Sequence, residues 1–253
     1  MSRDQGFVDF VDALHKHQRV YRVFRSVPSN PRCAICRAPY GGIGGRMFRA
    51  MGFSPSRKNP RLCRRCFDLA PLGGEEMEVG VLFADVRGYT TLTEQRPSHE
   101  VTELLNRFYS TAIDILCRHA IIDKFVGDQV MALYLPGLFE DTLGDHMLAD
   151  AQDLLAAATP WIEVGIGIDY GAAMVGNVGA GEVKDFTAIG DVVNTAARLQ
   201  GVAAAGEIVF TPRVAGDAPG ARRQSFELKG KAEPVEALVL TPTRGNPGPI
   251  PTR

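Results

Sequence analysis

The sequence predicts an α+β fold: an antiparallel sheet with helices on one face, preceded by a small cysteine-bearing segment. Three observations lead there. From residue 76 onward the apolar pattern runs strand, helix, hairpin, helix, strand, an order that lays helices against a sheet. Residues 30–70 are instead rich in Gly, Pro and Arg and hold four of the five cysteines. The length of 253 residues, 45% of them hydrophobic, suits one large domain with an appendage.

Taken in order, residues 1–29 predict an N-terminal helix over 6–26. Phe7, Phe10, Val11 and Leu14 recur at helical spacing, and Pro28 and Pro31 end it. Residues 30–70 form the cysteine module. Within it Gly41–Gly45 reads as a flexible loop, because it lacks the Gly-Lys-Ser/Thr ending of a phosphate loop. Pro71-Leu72-Gly73-Gly74 reads as a linker over 71–75. Residues 77–85 predict a buried strand. Ser98–Ala120 predicts an amphipathic helix capped by Ser98, with Val101, Leu104, Leu105, Phe108 and Ala112 on its apolar face. Ile121–Phe125 and Val130–Tyr134 predict a hairpin around a tight Val-Gly-Asp-Gln turn. A helix over Asp145–Ala158 follows, then strands at Trp161–Asp169 and Ala172–Val178. A helix capped by Asp191 spans Asp191–Val202, and strands lie near Glu207–Thr211 and Pro234–Leu240. The tail 242–253, rich in Pro and Gly, predicts disorder. The natural arrangement for the body, 76–241, is a ferredoxin-like core.

Net charge is −1, which argues against general affinity for nucleic acid or membrane. The distribution is uneven. Residues 30–70 carry nine basic and one acidic residue, whereas residues 71–253 carry 14 basic and 25 acidic. A basic front on an acidic body fits either intramolecular docking or an acidic partner. No run approaches the ~20 apolar residues of a membrane span, and no secretory leader is evident. The expected setting is the cytoplasm.

Three separated motifs carry chemistry. Asp85 closes an apolar strand and is followed by Val86, Gly88, Tyr89 and Thr90; Asp128 sits at the hairpin tip. Two carboxylates brought together with phosphate oxygens suit Mg²⁺ or Mn²⁺, hard ions that take oxygen ligands. Gly88 lets backbone N–H groups approach a phosphate. Lys124 precedes the hairpin turn, and Thr187 offers a hydroxyl. Asn194 and Arg198, four apart on a predicted helix, share a face, and Arg fits phosphate oxygens.

Residues 76–241 resemble the catalytic domain of class III nucleotidyl cyclases, the adenylate/guanylate cyclase family. The resemblance rests on Phe83–Thr90, Lys124–Asp128, Val164–Gly171, Val175–Gly179, Thr187–Arg198 and the late Leu228-Lys229-Gly230-Lys231. It implies a head-to-tail homodimer with active sites at the interface. Asp85 and Asp128 of one subunit, with the Val86 carbonyl, would hold two Mg²⁺ or Mn²⁺ ions. Lys124 of the other would meet the purine, with Thr187 as second base reader. Asn194 would orient the ribose, Arg198 would stabilise charge on the α-phosphate, and Lys229 would contact the terminal phosphates. Adenine presents an acceptor at N1 and a donor at N6, which Lys124 and Thr187 complement. The resemblance therefore implies an adenylate cyclase using ATP. Guanylate cyclase is the alternative, although a guanine reader typically has Glu at 124. Thr187 departs from the Asp of many adenylate-making relatives. Tyr89 replaces a usual Phe, and Val183 stands where many bacterial relatives have Arg, with Lys184 as a substitute.

Cys33-x2-Cys36 and Cys63-x2-Cys66 pair two knuckle-like halves. Four thiolates complete a tetrahedral site, and a module of about 40 residues has too little core to fold unaided. A structural Zn²⁺ is the expected occupant; an iron–sulfur cluster or a redox dithiol is the alternative. His15 and His17 are spare ligand candidates, and Cys117 reads as a core thiol. The module either braces or regulates the dimer, or its basic surface binds nucleic acid or an acidic protein. Few aromatics are present to stack on bases.

Overall fold

The computed structural model describes residues 32–33, 38–56, 60, 62–65, 72–136, 143–180 and 183–242. The helix expected over 6–26, the tail beyond 242, and Cys36 and Cys66 lie outside the described residues. The elements run α1 (Gly42–Ala50), β1 (Gly73–Val86), α2 (Tyr89–Gln95), α3 (Ser98–Leu116), β2 (Ile121–Val126) and β3 (Gln129–Tyr134). They continue with α4 (Leu143–Ala158), β4 (Val164–Ala180), β5 (Val183–Ile189), α5 (Asp191–Val202), β6 (Ile208–Phe210), β7 (Arg222–Phe226) and β8 (Val235–Leu240). The chain divides into two compact units. One comprises residues up to Met77 with Gly137–Phe139 and Ala172–Gly190, and the other comprises the remainder.

In the larger unit β1, α3, β2, β3, α4 and the first half of β4 follow one another as a ferredoxin-like core. The strand order is β2-β3-β1-β4, extended by β6, β8 and β7. The β1·β3 register runs antiparallel from Gly80↔Tyr134 to Asp85↔Gln129. The sheet is mixed rather than wholly antiparallel, because β6 runs parallel to β4 from Ile166↔Ile208 to Ile168↔Phe210. A parallel neighbour needs a long crossover, and α5 supplies it.

Helices also cover both faces, not one. Ile208 and Phe210 join the main core of Leu82, Ala84, Phe108, Ala112, Met147 and Leu154. Val209, between them, packs instead with Leu199 of α5, Leu228 and Val239. Strand alternation thus places α3 and α4 on one face and α5 on the other. Two glycines permit the close packing. A Cβ at Gly80 would lie 2.5 Å from the Met147 sulfur, and one at Gly167 would lie 2.0 Å from the Gln200 backbone nitrogen.

Ser98 is not the cap of α3. Pro97 occupies that position with φ −59° and ψ 146°, and no side chain caps the helix. Proline is pre-organised for a helix start and has no N–H to leave unpaired. Cys117 closes α3 and is buried, as expected of a core thiol.

In the smaller unit β4 does not break at Tyr170–Gly171. It runs on to Ala180, and β5 pairs back along it from Met174↔Ile189 to Ala180↔Val183. Gly73 and Gly74 are strand residues, not linker. A Cβ at Gly176 would sit 2.2 Å from the Gly73 carbonyl oxygen, so this close approach requires glycine. The Gly41–Gly45 run is likewise not a loop: Gly42 opens α1. A Cβ at Gly45 would lie 2.3 Å from the Tyr40 carbonyl carbon, so tight backbone packing accounts for that glycine. Tyr40 is buried and its hydroxyl donates to the Pro60 carbonyl at 2.6 Å.

Candidate active site

β1 delivers Asp85 to the end of the sheet, opposite Gln129 beside the hairpin turn. Gly127, at φ 59°, turns the chain from β2 to β3 and places Asp128 at the tip. The Val86 N–H donates to the Asp128 carbonyl at 3.3 Å, which ties the tip to the end of β1. The two carboxylates predicted from sequence are therefore brought together.

Their electrostatics are unfavourable. Burial, then the charge of Asp128, pushes Asp85 up to about 6, against the opposing pull of Arg87 and a Gln200 hydrogen bond. Burial also raises Asp128, again opposed by Arg87. Arg87 Nη1 lies 3.3 Å from Asp85 Oδ1. One arginine thus serves two acids. Strand alternation from Asp85 to Arg87 was the available signal for this residue, and sequence reasoning missed it. Arg87 Nη2 also donates to the Gln200 carbonyl near the end of α5. Gly165 leaves room for this, since a Cβ there would lie 2.2 Å from the guanidinium. The Gln200 and Gln129 amides are hydrogen-bonded at 3.1 Å.

Gly88 adopts φ 70° and precedes α2, so Tyr89 and Thr90 form its first turn. Tyr109 of α3, also missed, braces the hairpin. Its hydroxyl donates to the Gly127 carbonyl, and its ring lies 4.4 Å from that of Phe125. A bulge between Ile122 and Lys124 re-aims β2 just before the tip. Lys124 is half-buried and pairs with the buried Asp123 at 3.4 Å.

Asn194 and Arg198 lie on α5, as expected. Gly230, at φ 77°, passes close over Arg198, and a Cβ there would lie 3.2 Å from Nη2. Lys229, next in the chain, is exposed. Asp191 is the first helical residue rather than a cap. Its carboxylate accepts from Lys231 Nζ at 2.5 Å, because the 228–231 loop folds back over the helix start. Thr187 belongs to the smaller unit, on β5 opposite Gly176, and Lys184 lies opposite Gly179.

Cys33 and Cys63 also come together. Both side chains are fully buried, and the Cys63 N–H donates to Cys33 Sγ at 3.2 Å. Among the described residues no three His, Cys, Asp or Glu side chains form a group that could hold a metal. No described helix is long and apolar enough to cross a membrane.

The family model of the adenylate and guanylate cyclase catalytic domain matches residues 74–240. The chain belongs to this family, the class III nucleotidyl cyclases. Among solved structures, the guanylyl cyclase Cya2 is similar at 25% identity and TM-score 0.60, covering 66% of this chain and 93% of that one. The adenylyl cyclase CyaB from P. aeruginosa is similar at 30% identity and TM-score 0.56, covering 68% and 98%. An uncharacterized protein of Mycobacterium tuberculosis is 33% identical over 199 residues, 77% of this chain and 30% of its own length. The chain thus spans about a third of that curated relative.

Proposed function

We propose that the protein is an adenylate cyclase, converting ATP to 3′,5′-cyclic AMP and pyrophosphate at the interface of a homodimer. The observation that carries the reading is the pair Asp85 and Asp128, both half-buried and both raised, with Arg87 3.3 Å from Asp85 acting on each. Such a pair is short of positive charge, and Mg²⁺ or Mn²⁺ fits it, with the Val86 carbonyl and phosphate oxygens completing the ligand set. When bound, two such ions supply an activated ribose 3′-oxygen and charge neutralisation of the leaving pyrophosphate. Asp85 and Asp128 would hold the metal ions that meet the phosphates of a substrate whose base and ribose reach the partner subunit. There Lys124 donates to adenine N1, and the Thr187 hydroxyl accepts from N6. Asn194 orients the ribose. Arg198 places a fixed charge where the α-phosphate gathers negative charge, and Lys229 binds the terminal phosphates. Gly88, Tyr89 and Thr90 line the approach of the phosphates to Asp85.

The test is cyclic-nucleotide production by the purified protein with ATP or GTP and Mn²⁺ or Mg²⁺. Cyclic AMP that requires metal and vanishes in Asp85→Ala supports the reading. Cyclic GTP-derived product in its place overturns the Lys124 and Thr187 assignment and makes the protein a guanylate cyclase.

A second proposal concerns the N-terminal part. The burial of Cys33 and Cys63 and the N–H···S bond that joins them support a four-thiolate structural Zn²⁺ site with Cys36 and Cys66. Metal analysis of the purified full chain tests it. One zinc per chain that is lost in Cys33→Ser supports the site, and a metal-free, folded chain overturns it.

A further inference from the structure

Lys231 is not among the residues proposed to touch substrate, yet it makes a close ionic contact beside them. Its Nζ meets Asp191 Oδ2 at 2.5 Å, and Lys231 itself is largely covered. Asp191 opens α5, three residues before Asn194 and seven before Arg198. Lys231 closes the Leu228–Lys231 segment, whose Gly230 rests on the Arg198 guanidinium and whose Lys229 projects outward. Leu228 anchors the other end of the segment, packed with Leu199 of the same helix in the second core. The Lys231 hydrogen bond holds the Asp191 carboxyl below its usual range, and the charge of Arg213 adds to this. Arg213 is itself fixed, donating to the fully buried Asp169 at 2.6 Å. Asp169 also accepts from the Thr211 hydroxyl at 2.5 Å and the Tyr170 N–H at 2.9 Å. Two fixed pairs, Arg213 with the buried Asp169 of β4 and Lys231 with Asp191, are thus linked through the charge of Arg213 acting on Asp191.

From this arrangement we infer that the Lys231–Asp191 pair is a positioning latch. It pins the segment bearing Lys229 to the start of the helix bearing Asn194 and Arg198, so that three phosphate- and ribose-facing side chains share one frame. The inference rests on the proposed roles of Lys229, Asn194 and Arg198. An interaction of this kind acts on geometry: displacing a catalytic cation by a fraction of an ångström lowers turnover while leaving much of ground-state binding intact. Glycine at 230 is part of the device, since its left-handed φ of 77° and its contact with Arg198 both disfavour a side chain.

The experiment uses the full chain with Lys231→Met, Asp191→Asn and the reversed pair Asp191→Lys with Lys231→Asp. Two quantities are read: kcat and KM for cyclic-nucleotide formation, and binding of inorganic tripolyphosphate by calorimetry. Each single variant is expected to lower kcat about 3- to 10-fold with a smaller change in KM, the range of coupling between contacting residues. Tripolyphosphate binding should weaken by a smaller factor, in step with KM. The reversed pair should recover most of both losses, which a role in folding alone would not produce. Singles that match wild type in both measurements overturn the latch while leaving the cyclase reading intact. So does a kcat loss that the reversed pair leaves unrepaired. A wild-type chain that binds tripolyphosphate but makes no cyclic nucleotide overturns the cyclase reading. The latch is then decided by tripolyphosphate binding in the variants.

Discussion

The two ends of β3 carry acids in opposite circumstances. At the Tyr134 end, Asp150 is buried among donors. It accepts from the Tyr134 hydroxyl at 3.1 Å and meets His119 Nδ1 at 3.0 Å, with His119 stacked on His146. Burial raises this acid too, but His119, Tyr134 and Arg118 each pull the other way. At the Gln129 end, Asp85 and Asp128 share one arginine, and Asp128 adds to the push on Asp85. Asp150 and Asp85 both remain raised, so burial alone does not mark a functional site. What distinguishes the Gln129 end is a second carboxylate that adds to the push.

The largest expected effect separates the two ends by activity. Asp85→Asn should lower cyclase activity by about 10²–10³-fold, the scale of losing one electrostatic element of a site. Asp150→Asn, on α4 beside the far end of β3, should leave kcat/KM within about 3-fold. Equal losses in both, measured on folded protein, would break the comparison.

Metal should act on one end only. Mn²⁺ at about 100 times its Kd should stabilise the wild type by about 2.7 kcal/mol. Thermal unfolding should show this shift in Asp150→Asn and not in Asp85→Asn. A shift surviving in Asp85→Asn would remove that carboxylate from the metal site.

Stability should invert the order seen in activity. Asp150→Asn leaves buried groups poorly paired and should cost about 1–3 kcal/mol. Asp85→Asn relieves a like-charge contact and should be neutral or stabilising by up to about 1 kcal/mol in metal-free urea titrations at pH 8. Marked destabilisation by Asp85→Asn would show that Arg87 already satisfies the pair.

The smallest effect is in pH. Asp85 is raised from 3.8 to about 6 in the fold, so folding favours its neutral form. Its contribution to metal-free stability is present below about pH 4 and lost as pH rises through about 6. Metal needs the ionised form, so at subsaturating Mn²⁺ activity should fall below pH about 6, and excess metal should shift that limb to lower pH. A metal-independent limb would sever Asp85 from the titration.

Much of this was legible from local pattern. The strand ending at Asp85, the hairpin around Gly127-Asp128, and α5 with Asn194 and Arg198 on it all follow from periodicity and turn chemistry. So does the ferredoxin-like order. Two strands were not legible. β7, Arg222–Phe226, is a polar strand at the sheet edge, where charge guards against unwanted pairing and erases the apolar signal. β5 buries only alternate residues such as Phe186 and Ala188, between charged Lys184 and Asp185 and exposed Ile189. Tyr170–Gly171 reads as a break, yet β4 passes straight through it.

By itself the sequence determined which residue types stand at which local positions: an acid ending a strand, an acid in a tight turn, an Asn and an Arg one helical turn apart. These depend on neighbours within a few residues, and local sterics and hydrogen bonding decide them. Tertiary structure alone decided the pairings. Arg87 reaches both Asp85 and the Gln200 carbonyl, 113 residues away. Asp191 turns from a cap into the partner of Lys231, 40 residues on. The parallel placement of β6 sets α5 on the opposite face from α3 and α4. Such contacts join segments remote in sequence, and only the packing of the sheet and its two helical layers brings them within bonding distance.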